Sequence, residues 1–288
     1  DLVRSRGLGD VYKRQGIQSF ENIRNENYLY VDKTALIYQL VTKGKPYFLS
    51  RPRRFGKSLL ISTLEAYFQG KKELFKGLAI DQLEQDWNVY PVLHLDLNAR
   101  KYESEADLVA ILNQYLEMWE ADYGDEMKLR APEERFFYVI RRAWEQTGRQ
   151  VVVLIDEYDK PLLQTIHNEP LQEAYRHIMK AFYGVLKSAD RYLRFVFLTG
   201  VTKFAQVSVF SDLNQLNDIS LVYDYATLCG ITHAELVDNL TPELEQLGQM
   251  QSLSREGTVE TMVRQYDGYH FHPSREGVFN PFSALSAL

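Results

Sequence analysis

Cysteine is nearly missing from this 288-residue chain: Cys229 stands alone, so no internal disulfide can form. An apolar secretory segment is missing at the start, and no apolar run approaches the roughly 18 residues needed to cross a bilayer, so the expectation is a cytoplasmic protein with no membrane span. A basic excess is lacking too. With 33 Lys and Arg against 39 Asp and Glu the formal net charge is −6, which argues against a broadly basic nucleic-acid surface and leaves room only for a local patch. Repeats and low-complexity tracts are absent, and the composition excludes a disordered tail, a collagen or a coiled-coil rod. What is there is globular: 45% hydrophobic and 25% charged residues, enough chain for one large domain or two ordinary ones.

Residues 1–15 (DLVRSRGLGDVYKRQ) have neither helical nor strand periodicity and resemble translated sequencing adapter; the alternative is a disordered N-terminal arm. They carry four basic and two acidic side chains, so the remaining 273 residues have a net charge of −8. From Gly16 onward, apolar runs alternate with helical spacing, the pattern of an α/β domain with a parallel central sheet flanked by helices. Strands are predicted at 47–50, 92–97, 151–156 and 194–200. Helices are predicted at 57–69, 104–123, 132–147 and 171–187, the second opened by Ser104 and Asp107 and the third by Pro132. After about residue 230 the pattern turns to helices and polar loops. The predicted organisation is a core over 16–228 and a mainly helical lid or extension over 229–288.

Between the first predicted strand and its helix lies Ser50-Arg51-Pro52-Arg53-Arg54-Phe55-Gly56-Lys57-Ser58. It matches the last three positions of the phosphate-loop pattern G-x-x-x-x-G-K-[ST], with Arg51 where the first glycine belongs. Each matched residue has a physical task. Gly56 lets the backbone approach a phosphate, the first-turn amides and helix dipole face the anion, Lys57 neutralises β/γ oxygens, and the Ser58 hydroxyl ligates Mg²⁺. The candidate nucleotide-binding run is Arg53, Arg54, Phe55, Gly56, Lys57, Ser58 and Leu59, and the three arginines are expected to add positive potential beside the phosphates.

The run VVVLIDE (151–157) supplies the second half, a buried strand ending in two carboxylates in the Walker B arrangement. Asp156 at the carboxyl edge of the sheet is placed to hold Mg²⁺ opposite Ser58, and Glu157 to polarise the attacking water. A third part is expected where a neighbouring strand ends. Thr199 is the candidate sensor of the terminal phosphate, with Thr202 and Lys203 behind it. Asp159 reads as a solvated turn residue or helix N-cap. His270 and His272 stand at His-x-His spacing without a clear third ligand and read as an aromatic turn, while Trp119 and Tyr175 read as core.

YLYVDKTALIYQL (28–40), FLSRPRRFGKSLL (48–60), VVVLIDEYDKPL (151–162), LTGVTKF (198–204), SDLNQLNDISL (211–221), YDGYHF and FNPFSAL together resemble the AAA-ATPase-like domain of uncharacterised bacterial proteins. The resemblance covers essentially 16–288. It implies a P-loop NTPase fold of the ASCE type, related to archaeal and STAND ATPases, in which arginine in place of the first glycine is the family's own form. It also implies that a segment before the phosphate loop, here Tyr30 to Lys33, helps hold the base. Relatives usually continue into a PD-(D/E)XK nuclease-like domain, so DNA is a partner only through a part that this chain, ending at Leu288, does not contain.

The function expected is ATP binding with Mg²⁺ and hydrolysis as a conformational switch or motor, with Glu157, Lys57 and Thr199 catalytic and Ser58 and Asp156 at the metal. A homo-oligomer or a protein partner could supply an arginine; Arg191, Arg194 and Arg264 are candidates within the chain. The alternative is a nucleotide-binding scaffold with little hydrolysis. A small-molecule kinase would need an acceptor pocket and basic lid that 100–150 lacks, apart from Arg141 and Arg142. A helicase would need a second lobe for which the chain is too short.

Overall fold

Val151–Asp156 forms strand β3, and all six of its residues are buried, as a run of β-branched and aliphatic side chains at the centre of a parallel sheet requires. Alternate residues of a strand point to opposite faces. Val151, Val153 and Ile155 therefore join one core with Trp119, Phe136 and Phe182, while Val152 and Leu154 join another with Ile37, Leu64 and Phe68. The computed structural model describes residues 17–44, 46–203, 209–210 and 216–288; the adapter-like segment 1–15, Phe204 of LTGVTKF and residues 211–215 of SDLNQLNDISL lie outside the described residues.

Four further strands complete the sheet: β1 (Tyr47–Ser50), β2 (Val92–Asp96), β4 (Leu193–Gly200) and β5 (Asn217–Asp218). Their order is β2-β3-β4-β1-β5 and every pairing is parallel. The fold is thus the α/β P-loop arrangement, with Ser50, Asp96, Asp156 and Gly200 ending their strands along one edge. One face carries α1 (Phe20–Asn25), α2 (Thr34–Lys43), α3 (Lys57–Phe68) and the short α4 (Ala79–Leu83). The other carries α5 (Glu105–Tyr123), α6 (Pro132–Thr147), the short α7 (Lys160–Gln164) and α8 (Glu169–Ser188). Trp119 and Tyr175 are buried there.

Helix ends follow local chemistry. The Ser104 amide donates to Asp107 Oδ2 at 2.8 Å at the start of α5. Helix α8 begins two residues before the predicted 171 because Asn168 Oδ1 accepts from Leu171 N at 3.3 Å and Pro170 fits the first turn. Strand β2 stops at Asp96, whose carboxylate accepts from Asn98 N at 2.8 Å and turns the chain into a short 3₁₀ segment.

The C-terminal part holds α9 (His233–Gln251), α10 (Arg255–Tyr266) and α11 (Pro281–Ala287), and also a small antiparallel sheet of β6 (Ile231–Thr232), β7 (Asp267–Tyr269) and β8 (Val278–Phe279) in the order β6-β8-β7. The mainly helical expectation did not include that sheet, because strands of two or three residues are too short to show a period. A full capping box opens α9: Glu235 N donates to Thr232 Oγ1 at 3.2 Å and Thr232 N to Glu235 Oε2 at 2.8 Å. Pro242 lies inside α9 beside Leu240, whose φ of −126° marks a kink. A third cluster built on Ile231, Leu236, Leu240, Leu244 and Phe279 buries these elements, and Leu29 and Val31 pack against it.

Candidate functional site

The loop after β1 starts with Arg51 N donating to Gly200 O at 3.1 Å and ends at Gly56, where α3 begins. Gly56 has φ of 90°, a left-handed value open to glycine, although a Cβ there would meet no atom within 4 Å. Glycine is needed for the dihedral and not for space. Arg54 also has positive φ, 67°. Among the described residues no side chain caps α3, which leaves its first-turn amides and positive dipole end to an anion. They face a cavity of about 280 Å³ lined by Arg53, Arg54, Phe55, Gly56, Lys57, Ser58 and Leu59, every residue of the predicted nucleotide-binding run. Glu157 and Asn98 line the same cavity, with apolar walls from Leu29 to Val31, Leu228 to Ile231, and Phe282 and Leu285.

Lys57 is 4% exposed. Its ammonium donates to Arg51 O (3.2 Å) and Pro52 O (3.3 Å) and pairs with Glu157 Oε1 at 3.2 Å. Glu157 follows the end of β3 at φ of 52°, an unusual value for a residue with a Cβ. Tyr158 N donates to Thr199 O (2.9 Å) and Lys160 N to Glu157 O (2.9 Å), which holds the turn and aims the carboxylate at the loop. Burial raises the Glu157 pKa above the usual carboxylate range, against the pull of Lys57.

Asp156 and Thr199 stand behind this front. The Thr199 hydroxyl donates to Asp156 Oδ1 at 2.5 Å, and the same oxygen accepts Glu157 N at 3.0 Å. Thr199 is wholly buried, and neither residue is among those lining the cavity. Lys203 forms an ion pair with Asp218 Oδ2 at 2.7 Å. Lys33, in the segment expected near the base, is held by Glu235 at 2.6 Å, while Tyr30 lines the cavity with its ring against Phe20. Arg191 and Arg194 do not line the cavity; they pack on Tyr192 and Tyr90 respectively, and Arg264 is exposed on α10 and is likewise not a lining residue. Arg141 and Arg142 pair with Glu145. His272 turns its Nδ1 to Ser274 N (3.1 Å) and its ring to Tyr223.

Two expectations are corrected. Arg51 does not present its side chain to the cavity beside Arg53 and Arg54: it is 1% exposed, and its guanidinium donates to Ser50 O (2.9 Å), Ser220 O (2.7 Å) and Tyr225 O (3.1 Å), so its charge acts there only at a distance. Desolvation pushes its pKa down to about 10. Asp159 is not solvated. It stands at the N-cap position of α7, as the other half of the expectation had it, but without a side-chain cap hydrogen bond; it is 0% exposed and accepts from Val201 N, Thr202 N (2.7 Å) and the Thr202 hydroxyl (2.8 Å). Asn98 and Asn280 were missed. Asn280 carried a readable signal, since Asn before Pro is a helix-start dipeptide, and it does cap α11.

A family described as predicted AAA-ATPases has a model that matches residues 14–210 of this chain. An uncharacterized protein encoded in the vnfD 5′ region of Azotobacter chroococcum mcd 1 is 38% identical over 272 residues, which is 94% of this chain and 50% of that protein. The chain therefore spans about half the length of that relative. No solved structure matches it.

Proposed function

Because the chain belongs to the AAA-ATPase-like family, we propose that it binds ATP with Mg²⁺ in the cavity before α3 and hydrolyses it as a conformational switch. The observation that carries this reading is the uncapped N-terminus of α3, preceded by a left-handed glycine, with the Lys57–Glu157 ion pair set in the cavity mouth. A terminal phosphate and Glu157 compete for the same ammonium. Binding would draw Lys57 from Glu157 and from the loop carbonyls, leaving the carboxylate free to orient water. Its raised pKa makes it a better proton acceptor than an exposed glutamate.

The donor set fits Mg²⁺, a hard cation that takes oxygen ligands: the Ser58 hydroxyl on the cavity wall would hold it directly, and the Asp156 carboxylate, set behind the lining, through a bound water. When bound, the ion would supply positive charge to phosphate oxygens as charge builds on them. Thr199 would act through Asp156, fixing the carboxylate that its hydroxyl already touches. Arg53 and Arg54, exposed at the cavity, offer further positive charge, and a second copy or a protein partner could add an arginine. The apolar walls contributed by residues 29–31 and 228–231 and by Phe282 and Leu285 suit a flat heteroaromatic base.

The test is phosphate release and ATP binding by the wild type, Glu157→Gln and Lys57→Ala. ATP should bind to Glu157→Gln with hydrolysis reduced by about 10²-fold or more, and Lys57→Ala should lose binding. Equal phosphate release by wild type and Glu157→Gln would remove the hydrolysis reading and leave a nucleotide-dependent scaffold.

A further inference from the structure

The loop that carries the candidate phosphate contacts is unusual in what holds it. A glycine at its first position would bring no side chain to anchor the turn; Arg51 brings a guanidinium that runs inward, and its planar face is covered by Phe271 with 3.8 Å from Cζ to the ring centroid. Phe55, 1% exposed, meets the rings of Tyr269 (4.7 Å) and Phe271 (5.5 Å) edge-on. The carbonyl of Arg53 accepts from Asn280 Nδ2 at 3.2 Å, and that of Phe55 from Gly230 N at 3.3 Å. The Arg54 guanidinium lies over the Phe282 ring at 3.9 Å. Besides the Ser220 and Tyr225 carbonyls that hold the Arg51 guanidinium, Arg51, Arg53, Arg54 and Phe55 are each touched from one stretch of chain, 230–282, more than 170 residues away in sequence.

We propose that this stretch is a strap that sets the phosphate-binding conformation of the loop, with Phe271, Asn280 and Phe282 as positioning residues for the nucleotide. The proposal rests on the reading of the cavity as a nucleotide site. Its mechanism is peptide geometry. In a trans peptide the C=O and the following N–H point in opposite directions. Tying the Arg53 and Phe55 carbonyls to the strap turns the N–H groups of Arg54 and Gly56 away from it, and both residues line the cavity. The Phe282 ring does the same for a side chain: it carries Arg54 while leaving it exposed. Gly230 lets the strap close, since a Cβ there would come within 2.9 Å of Val278 and its φ is 94°. Linkage makes the coupling reciprocal: whatever nucleotide gains from the strap, the strap gains in order from nucleotide.

The test uses Mg²⁺ with AMP-PNP, a slowly hydrolysed ATP analogue, on the full chain. Asn280→Ser keeps a good N-cap for α11 but is too short to donate to Arg53 O. Phe282→Leu keeps apolar bulk at a half-buried position and removes the ring face under Arg54. Each should weaken binding about three- to tenfold, the range for one hydrogen bond or one cation–π contact, with the melting temperature lowered by no more than about 4 °C. Phe282→Tyr should bind as the wild type does. Arg54→Ala with Phe282→Leu should bind no more weakly than Arg54→Ala alone, because the two residues act as one unit. Wild-type affinity in both Asn280→Ser and Phe282→Leu, or full additivity in the double variant, overturns the strap. A wild type that does not bind the analogue overturns the nucleotide reading instead, and with it the premise of the strap.

Discussion

Asp159 offers the sharpest stability prediction, because its burial reverses what its position after the Asp156–Glu157 pair suggests. The carboxylate is wholly buried, and its donors are Val201 N (3.2 and 3.1 Å to the two oxygens), Thr202 N (2.7 Å) and the Thr202 hydroxyl (2.8 Å). Asp159→Ala removes every acceptor at once. The hydroxyl can rotate to another partner, but the two backbone N–H groups cannot; a fully buried donor left unpaired costs about 1–3 kcal/mol, so with Val201 and Thr202 half-buried the loss is at most roughly 2–6 kcal/mol. Against a total stability of about 5–15 kcal/mol for a native protein, that is a large fraction. Asp159→Asn can keep an oxygen on Thr202 but turns an NH₂ toward Val201 N–H, which limits the loss to about 1–3 kcal/mol. Urea unfolding followed by fluorescence and circular dichroism would rank wild type above Asn above Ala. Both variants within about 0.5 kcal/mol of the wild type, the usual range for a surface change, would refute the reasoning. Because the clamp holds the chain just beyond Thr199, phosphate release by Asp159→Asn should fall more than its ATP affinity.

The Arg135 guanidinium donates to both Glu120 oxygens at 2.7 Å and to Asn113 Oδ1 at 2.7 Å, joining α6 to α5 with both charged groups about 5% exposed or less. Arg135→Ala strands a buried carboxylate and should lower stability by about 3–5 kcal/mol in urea, whereas Arg135→Met with Glu120→Leu should return close to the wild type. A single variant as stable as the double would show that the pair is not desolvated. His94 gives a pH dependence. Burial alone would lower its pKa, but the Glu65 carboxylate 3.0 Å from Nδ1 prevails and raises it. Stability from this pair is present in full below the ordinary imidazole value of about 6.5 and is lost as pH climbs through the raised one. The urea midpoint of the wild type should therefore fall over that window relative to His94→Gln; parallel pH curves would assign the dependence to another group.

Local periodicity explains why so much of the sheet could be read in advance. VVVLID has no other stable environment than a strand covered on both faces, and the helix at 132–147 carries its own Pro start and Gly148 stop, so both match their predicted ranges. The turn at Gly56 was legible because the dihedral needed there is a local demand, whereas the meeting of Lys57, Ser58 and Glu157 at one cavity joins the loop after β1 to the end of β3 and follows from the sheet order. The short strands β6 to β8 were not legible, because two or three residues hold no period and their pairing joins positions up to 48 residues apart, as in Ile231 with Phe279.

Sequence by itself determined the strand–loop–helix unit, the paired carboxylates at the end of β3 and the α/β class, since each follows from side-chain size and spacing along a short stretch. Only the tertiary structure decided which of three nearby arginines turns inward. Nothing in RPRR separates Arg51 from Arg53 and Arg54; the difference is made by the carbonyls of Ser220 and Tyr225 and the ring of Phe271, which converge on Arg51 from distant parts of the chain. The same holds for Asp159, whose donors lie 42 and 43 residues on, at the end of β4. A buried charge needs partners from every side, and in a parallel sheet those partners arrive through crossovers that no local pattern encodes.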